Sequence, residues 1–429
     1  MTTPAETGPL LDHLFRRQAG RIVAHLTKLM GPAYLELAEE TVQEAMLRAL
    51  QGWPSQGIPE NPAAWLFRVA HNLAIDAVRR NRTLREKTDA MVAELTRSSS
   101  ALLDDPAVEE RLRDDELRMI FLCCHPEIPR DSSVALSLKT VGGFSVREIA
   151  RAFLADDAAI AQRLVRTKRQ IRETGLTLDA PSPSEMEARL DAVLEVIYFI
   201  FNEGYTAHEG DELIRLDLCR EALRLARLVA GSSLAQPRVH AVVALLALQA
   251  ARNEARVDAA GNLILLDEQD RSRWDQKLIS LGFHHFDLSM AGGPVSRYHA
   301  EAAIAATHAR AAVTGSTDWP TILELYDQLL ALNPSPIVEL NRAVAVAKVH
   351  GPQAGLQAIE PLEVDAKLRH YYLLLATRGH LLLELGRYKQ ATDYFRSALE
   401  CRCSEPERRF LRRKLDDAAK WGRFPTCQL

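Results

Sequence analysis

Aromatic residues are scarce, at 6% of 429 positions, while alanine and leucine abound. That balance argues against a sheet protein and for helices. Cysteine is sparse as well: Cys123, Cys124, Cys219, Cys401, Cys403 and Cys427 include no CxxC pair. Adjacent or every-other spacing suits neither a zinc site nor a disulfide framework, so reduced thiols in a cytoplasmic protein are expected. No charge of one sign prevails. A formal net charge of −4 excludes the strongly basic balance of a protein that coats nucleic acid, so any DNA contact must come from local patches or need a partner. Long hydrophobic runs are missing too. The richest, Val239 to Ala251, is too short to span a bilayer and ends in Arg252. The start, MTTPAETGPLLDHLFRR, has no charged segment followed by an apolar core, so no signal peptide is expected. HExxH spacing is absent, and Glu203, His208, His284, His285 and His299 stand in no recognisable enzymatic motif. No catalytic residue, metal ligand or cofactor site is expected.

What is present is a chain long enough for about two to four domains, with 47% hydrophobic and 26% charged residues, an ordinary balance for a buried core. Its most telling stretch is PAAWLFRVAHNLAIDAVRR, Pro62 to Arg80. Leu66, Val69, Leu73 and Ala77 recur at helical spacing, and Pro62 suits the first helical turn. Arg68, Arg79, Arg80 and Arg82 lie off that stripe, with Trp65, Phe67 and His71 interleaved. A solvated basic face accounts for the charges alone. A helix meeting a phosphate backbone and unstacked bases uses both cations and rings.

The order of residues separates the two. Pro62, Trp65, Leu66, Val69, Ala70, Asn72, Ile75, Asp76, Arg79 and Arg80 together resemble the promoter-reading helix of bacterial extracytoplasmic-function sigma factors, a far more specific signal than a short motif. The resemblance implies that Trp65, Arg68, His71, Asn72, Asp76, Arg79 and Arg80 meet the minus-ten element.

Upstream, Leu10, Leu14, Ile22, Val23, Leu26 and Leu29 carry helical spacing into the Gly31-Pro32 break. AEETVQEAMLRAL, Ala38 to Leu50, follows, with Val42, Ala45, Met46, Ala49 and Leu50 as its expected buried stripe. Ala38, Glu39, Glu40, Val42, Gln43 and Glu44 are similar to the family's core-binding run. The resemblance implies that Glu39, Glu40, Gln43 and Glu44 dock on the coiled coil of the polymerase β′ subunit, and acids and amides suit a basic partner helix. QGWPSQGIPENP, ending at Pro62, reads as a loop from its glycines and prolines. In the family this loop captures a flipped base, which must first be unstacked. Trp53, Ser55, Gln56 and Asn61 are candidates to line it, and Trp53 fits a core anchor at least as well.

Residues 83–107, with LTRSSSALLDDP, read as a flexible linker. From Val108 to Gly175 a second module follows. Ser145 is a plausible helix cap with Glu148 three residues on. Val146, Ile149, Ala150 and Phe153 build one helix, Ala155-Asp156-Asp157 a turn, and Ala158 to Arg172 a second helix with Ile160, Leu164 and Ile171 inward. The pattern is a helix-turn-helix, and Arg163, Arg166, Lys168, Arg169 and Arg172 fit its second helix to the major groove. The module resembles sigma region four, which implies contact with the minus-thirty-five element and the polymerase β flap. Ala159, Gln162, Arg163, Arg166, Thr167 and Arg169 are the expected reading residues. Where most members carry Gly-Thr-Val-Lys-Ser, this chain has Ala158-Ala159-Ile160-Ala161-Gln162, which implies a different promoter.

The remaining half is an extension. After PSPSEMEARL comes FNEGY, in which Asn202-Glu203-Gly204 reads as a helix stop. Gly261-Asn262 marks a turn, and Glu268, Asp270, Arg271, Arg273 and Asp275 are expected in ion pairs or a polar inter-domain contact. From about Ala302 helical hairpins repeat. Leu375, Gly379, Leu382, Gly386, Tyr388, Ala391, Phe395 and Ala398 resemble a tetratricopeptide repeat, with Ala343 and Ile359 in the places of Gly379 and Phe395 one copy earlier. A stack of such pairs offers a concave face for a peptide or another domain, and PERRFLRRKLDDAAKW is expected to cap it.

The layout is similar to a group of these sigma factors with a tetratricopeptide-like C-terminal extension, to which FNEGY, LDEQDRSRWD and LNPSPIVELNRAVAVA are typical. The expected fold is all-α: sigma region two at 10–82, the linker at 83–107, region four at 108–175, a helical extension at 185–300 and helical repeats at 301–429. The expected function is a non-catalytic, cytoplasmic promoter-specificity subunit of RNA polymerase. Its partners would be core enzyme and promoter DNA, with the extension contacting the sigma domains, polymerase or another protein, and no membrane. The alternative is a helix-turn-helix regulator on a repeat scaffold, acting without core polymerase.

Overall fold

A computed structural model of the chain describes residues 18–80, 91–96, 106–152, 155–176, 183–206, 213–311, 313–365, 368–369 and 371–422. Leu10, Leu14, Arg82, Phe153, His208 and most of the 83–107 segment lie outside them. The fold is all-α. Among the described residues the only bridge between extended segments joins Val257 to Leu263. The chain divides into two compact units, Met1–Ile200 and Phe201–Leu429.

In the first unit, α1 (18–30) leads through a 3-10 turn at Pro32–Tyr34 into α2 (Leu35–Gln56). Gly31, at φ 93, supplies the break. Then come α3 (Pro62–Arg80), α4 (91–96), α5 (Pro106–Cys123) and α6 (Arg130–Thr140). Last are α7 (Val146–Ala152), α8 (Asp157–Thr174) and most of α9 (Pro183–Tyr205). α2 buries Leu35, Ala38, Thr41, Val42, Ala45, Ala49 and Trp53 against its neighbours. Leu50, expected in that stripe, is exposed, as is Leu47.

Two sequence expectations change here. α2 continues through Pro54 to Gln56, so the connection to α3 is only residues 57–61. Pro54 forfeits one N–H, but Trp53 is only 4% exposed and packs edge-on against Trp65 at 5.3 Å, which holds the last turn. The buried face of α3 is also rotated from the expected one. Leu66, Phe67, Ala70, His71, Ala74, Ile75 and Val78 are buried, whereas Val69, Leu73 and Ala77 are half-buried. Asn61 caps the helix, its Oδ1 accepting from Ala64 N at 3.0 Å.

α5 and α6 share a core of Met119, Ile120, Leu122, Val134, Ala135 and Leu138. α5 also carries two buried acids toward α1. Asp115 accepts from His25 Nδ1 at 2.7 Å and Lys28 Nζ at 2.6 Å, and Arg21 Nε stands 3.9 Å from Glu116. The segments read as two modules thus meet within one compact unit. α9 joins it through an Arg130–Glu195 ion pair and through Arg189, which donates to Phe121 O at 3.4 Å.

The second unit runs through α10 (Leu216–Ala230), α11 (Pro237–Ala250), α12 (Gln276–Ser289), α13 (Arg297–Arg310) and α14 (Trp319–Leu332). It ends with α15 (Pro336–His350), α16 (Pro352–Ile359), α17 (Tyr372–Glu384), α18 (Tyr388–Glu400) and α19 (Glu405–Gly422). Consecutive helices pack on one another throughout. α11, the apolar run noted above, is the innermost, with Val239 and Ala241 through Leu248 all buried. Among the described residues no helix is long and apolar enough to cross a membrane.

α9 ends at Tyr205, where Asn202-Glu203-Gly204 signals a stop. Gly204 lies inside the last turn of α9, where a Cβ would fall 2.7 Å from Leu218 Cβ and 2.8 Å from Cys219 N. Its role is close approach to α10, not left-handed backbone. Gly379 and Phe395 meet as their spacing predicts, a Cβ on Gly379 falling 3.0 Å from the Phe395 ring. Ala343 and Ile359 are buried in the same cluster one helical pair earlier.

In LDEQDRSRWD, Asp267 pairs with Lys348 at 2.6 Å, while Asp270 and Asp275, expected in ion pairs or a polar inter-domain contact, act as caps. Asp270 Oδ1 accepts from Ser272 N at 3.0 Å, and Asp275 caps α12 by accepting from Lys277 N and Leu278 N at 2.8 and 3.1 Å. Arg271 bonds backbone carbonyls. Among the described residues Cys123, Cys124, Cys219, Cys401 and Cys403 are free thiols, and burial pushes Cys123 up to about 11 and Cys124 higher still.

Candidate nucleic-acid interface

One face of α3 leaves Arg68, Asn72, Asp76, Arg79 and Arg80 exposed, with Trp65 half-buried at its edge. Arg80 Nε donates to Asp76 O at 3.2 Å, so its guanidinium lies along the helix. His71 does not join them. It is fully buried, stacked on Phe67 with ring centroids 5.8 Å apart, and Phe67 in turn lies 5.1 Å from His25. Burial, with His25 adding to it, depresses its pKa to about 4, and its ring nitrogens have no hydrogen-bond partner among the described residues. His71 is a neutral core residue, out of reach of DNA. Ser55 Oγ donates to Gly52 O within the last turn of α2, and in the connection Asn61 serves as the cap of α3.

On α2, Glu40, Gln43 and Glu44 are exposed beside Leu47, and Arg48 Nε donates to Glu44 at 3.0 Å. This is a continuous acidic and amide ridge with an apolar centre. Glu39 lies off it, 9% exposed, and accepts a hydrogen bond from Lys168 of α8. Arg172 Nη1 stands 3.8 Å from Glu36 in the next turn of the same contact.

The Ser145 capping box forms as expected: Glu148 N donates to Ser145 Oγ at 3.2 Å, and Ser145 N donates to Glu148 Oε2 at 2.7 Å. α8 buries Ile160, Leu164, Thr167 and Ile171. Ala159, Gln162, Arg166 and Arg169 are exposed and Arg163 is half-buried. Thr167 faces inward, its Oγ1 donating to Arg163 O at 2.8 Å, and is unavailable for base contact. Lys168 is turned toward α2, and Arg169 Nε pairs with Glu173 at 2.7 Å. The exposed cationic strip on α8 is therefore narrower than the count of arginines and lysines implies.

Of the residues weighed for enzymatic chemistry, His208 lies outside the described residues, and His284 and His285 stand with ring centroids 5.3 Å apart. Glu203 is buried with Arg215 at 2.8 Å, His285 Nδ1 meets His240 Nδ1 at 2.9 Å, and His299 is tied to Ser296 and to Ser289 O.

Comparison with known proteins fits this geometry. Residues 14–83 match sigma-70 region 2, spanning α1 to α3 and supporting a place for the chain in the sigma-70 family. Residues 189–290 match a family of unknown function, DUF6596. The chain belongs to the family of an uncharacterized protein of Rhizobium meliloti, to which it is 42% identical over 388 residues, 90% of each chain. It is similar to the ECF RNA polymerase sigma-E factor of Escherichia coli, at 28% identity over 31% of this chain and 70% of that one. It is also similar to the ECF RNA polymerase sigma factor SigE of Mycolicibacterium smegmatis, at 26% identity over 38% of this chain and 61% of the other. No solved structure matches.

Proposed function

We propose that the chain is an alternative sigma factor of the extracytoplasmic-function type. It carries the core of a bacterial RNA polymerase to particular promoters in the cytoplasm and performs no bond chemistry itself. The observation that carries this reading is the pairing of two exposed surfaces inside the region-2 match. Glu40, Gln43 and Glu44 on α2 suit a basic partner helix of core polymerase, and Arg68, Asn72, Arg79 and Arg80 on α3 suit the minus-ten element. α7 and α8 act as the helix-turn-helix for the minus-thirty-five element, through Gln162, Arg166 and Arg169. The helical pairs beyond α13 form a tetratricopeptide-like extension that regulates the sigma domains in cis.

In the arrangement described, Glu39 is covered by α8. Full engagement of core polymerase therefore requires α8 to leave α2, which makes this the resting form. Pull-down of sigma-free core polymerase by the purified chain tests the reading. Core is retained by the wild type and lost with Glu40→Lys combined with Glu44→Lys. Promoter binding in the absence of core, with no retention of core, would favour the independent regulator instead.

A further inference from the structure

Three arginines of the second unit gather with no carboxylate of the described residues among them. Arg252 follows α11, Arg256 lies one turn on, and Arg271 opens the 3-10 turn at Arg271–Arg273. Arg252 Nη2 donates to Tyr205 Oη at 2.7 Å, and its guanidinium carbon lies 5.7 Å from the centre of the Trp274 ring. That of Arg271 lies 4.9 Å from the same ring, and that of Arg256 lies 3.7 Å from the Tyr205 ring. FNEGY and LDEQDRSRWD, which promoter reading leaves unused, thus meet at one cationic cluster.

Part of this charge is structural. Arg256 donates to Tyr205 O at the end of α9, and Arg271 donates to His308 O and to Ala311 O at the end of α13. A helix C-terminus carries roughly half a unit of negative charge, so two such ends offset about one of the three cations. The acids that act on the cluster are held elsewhere. Asp267 accepts from Lys348 at 2.6 Å, while Glu407 accepts from Ser404 N at 2.8 Å and from Tyr372. No carboxylate among the described residues reaches ion-pair distance of Arg252, Arg256 or Arg271.

About two positive charges are therefore left over in a partly buried place, where a cation without a counter-charge is costly. Donors are left over as well. Arg252 Nε, Arg271 Nε and Trp274 Nε1 are buried with no acceptor, and Trp274 is only 4% exposed. Burial and the charge of Arg252 drive both Arg256 and Arg271 below the usual guanidinium range. We propose that Arg252, Arg271 and the Trp274 indole N–H, backed by Arg256, form a binding site for a phosphate group presented by a small ligand. A carboxylate would neutralise one charge. A phosphate dianion neutralises both and offers enough oxygens for the three free N–H groups. Arg252 and Arg271 are partly buried, so part of each side chain meets solvent although its Nε is covered, while Arg256 and Trp274 are buried.

The test is thermal unfolding and titration calorimetry of the full chain with inorganic phosphate, acetate or chloride at matched ionic strength. Phosphate is expected to bind with one-to-one stoichiometry and to raise the midpoint by several degrees at saturation, as ligand linkage requires. Acetate and chloride are expected to leave the midpoint in place. Arg252→Gln is expected to abolish the phosphate response, and Arg252→Lys, which keeps the charge but not the fork, to weaken it at least tenfold. Arg271→Gln is the second variant, but it also loosens the end of α13. Equal midpoints in all three salts, or a phosphate response that survives Arg252→Gln, would overturn the site. Neither outcome depends on whether the chain directs transcription.

Discussion

Lys168 of α8 donates to Glu39 of α2 across 129 positions of sequence, and both side chains are largely buried. Glu39 belongs to the run read as core-binding and Lys168 to the helix read as DNA-binding, so one ion pair engages both surfaces at once. Lys168→Ala is expected to cost ~1–3 kcal/mol, because it strands a mostly buried carboxylate. It is expected at the same time to raise affinity for core polymerase several-fold. Denaturant unfolding and core pull-down measure the two effects. Loss of stability without a gain in core binding would separate the pair from regulation.

Arg79 and Arg80 are exposed at the end of α3, and neither contributes to the buried face. Replacing both with Ala is expected to change stability by less than ~0.5 kcal/mol. Promoter affinity of the chain assembled with core should fall, and the salt slope of binding should decrease by about one per arginine. Fluorescence anisotropy across a salt series reads both. An unchanged slope would place these arginines away from phosphate.

His71 gives the first unit a dependence on pH. Its folded pKa is about 4, below the ordinary 6.5, so between those values the unfolded chain holds the proton that the folded chain excludes. Stability is therefore complete above about pH 6.5 and falls as pH drops toward 4. A fully buried site with this shift loses ~2 kcal/mol by about pH 4.5. His71→Phe, which keeps a ring against Phe67, is expected to flatten this part of the pH profile in denaturant titrations. A variant that retains the full slope would assign the acid sensitivity to other groups.

A cut after Pro181 is the obvious way to remove the extension, yet α9 contributes Arg189 and Glu195 to the first unit. Truncation there is expected to destabilise the first unit as well as to delete the second. Truncation after Thr206 retains that helix. If the extension regulates in cis, the longer truncation changes promoter output while leaving the unfolding of the first unit intact. Equal output from the full chain and the longer truncation would remove that role.

Much of this was legible in the sequence. The helices, the Ser145–Glu148 cap, the Gly261 turn and the meeting of Gly379 with Phe395 follow from local chemistry and spacing. What was misread depended on packing that only the formed helices and their neighbours supply. His71 looked like an interleaved polar group because the spacing does not show that its ring is buried against Phe67. Thr167 looked available because its bond to Arg163 O is a property of the formed helix. Pro54 and Gly57 signalled an early break, but burial of Trp53 outweighed one lost N–H. Gly204 marks the end of α9 as its sequence signals, and only the fold shows that its missing side chain also admits α10. Asp270, Arg271 and Asp275 read as members of ion pairs or of a polar inter-domain contact, and only the folded chain shows the two acids capping and Arg271 reaching the carbonyls of α13.

Run-off transcription with purified, sigma-free core polymerase on a library of genomic promoter fragments is the most direct measurement. The full chain, alone or as Lys168→Ala, is expected to direct initiation from a small subset sharing minus-thirty-five and minus-ten elements, and Arg79→Ala with Arg80→Ala to lose it. Binding to core without initiation from any fragment, or no binding to core by either form, would contradict the account.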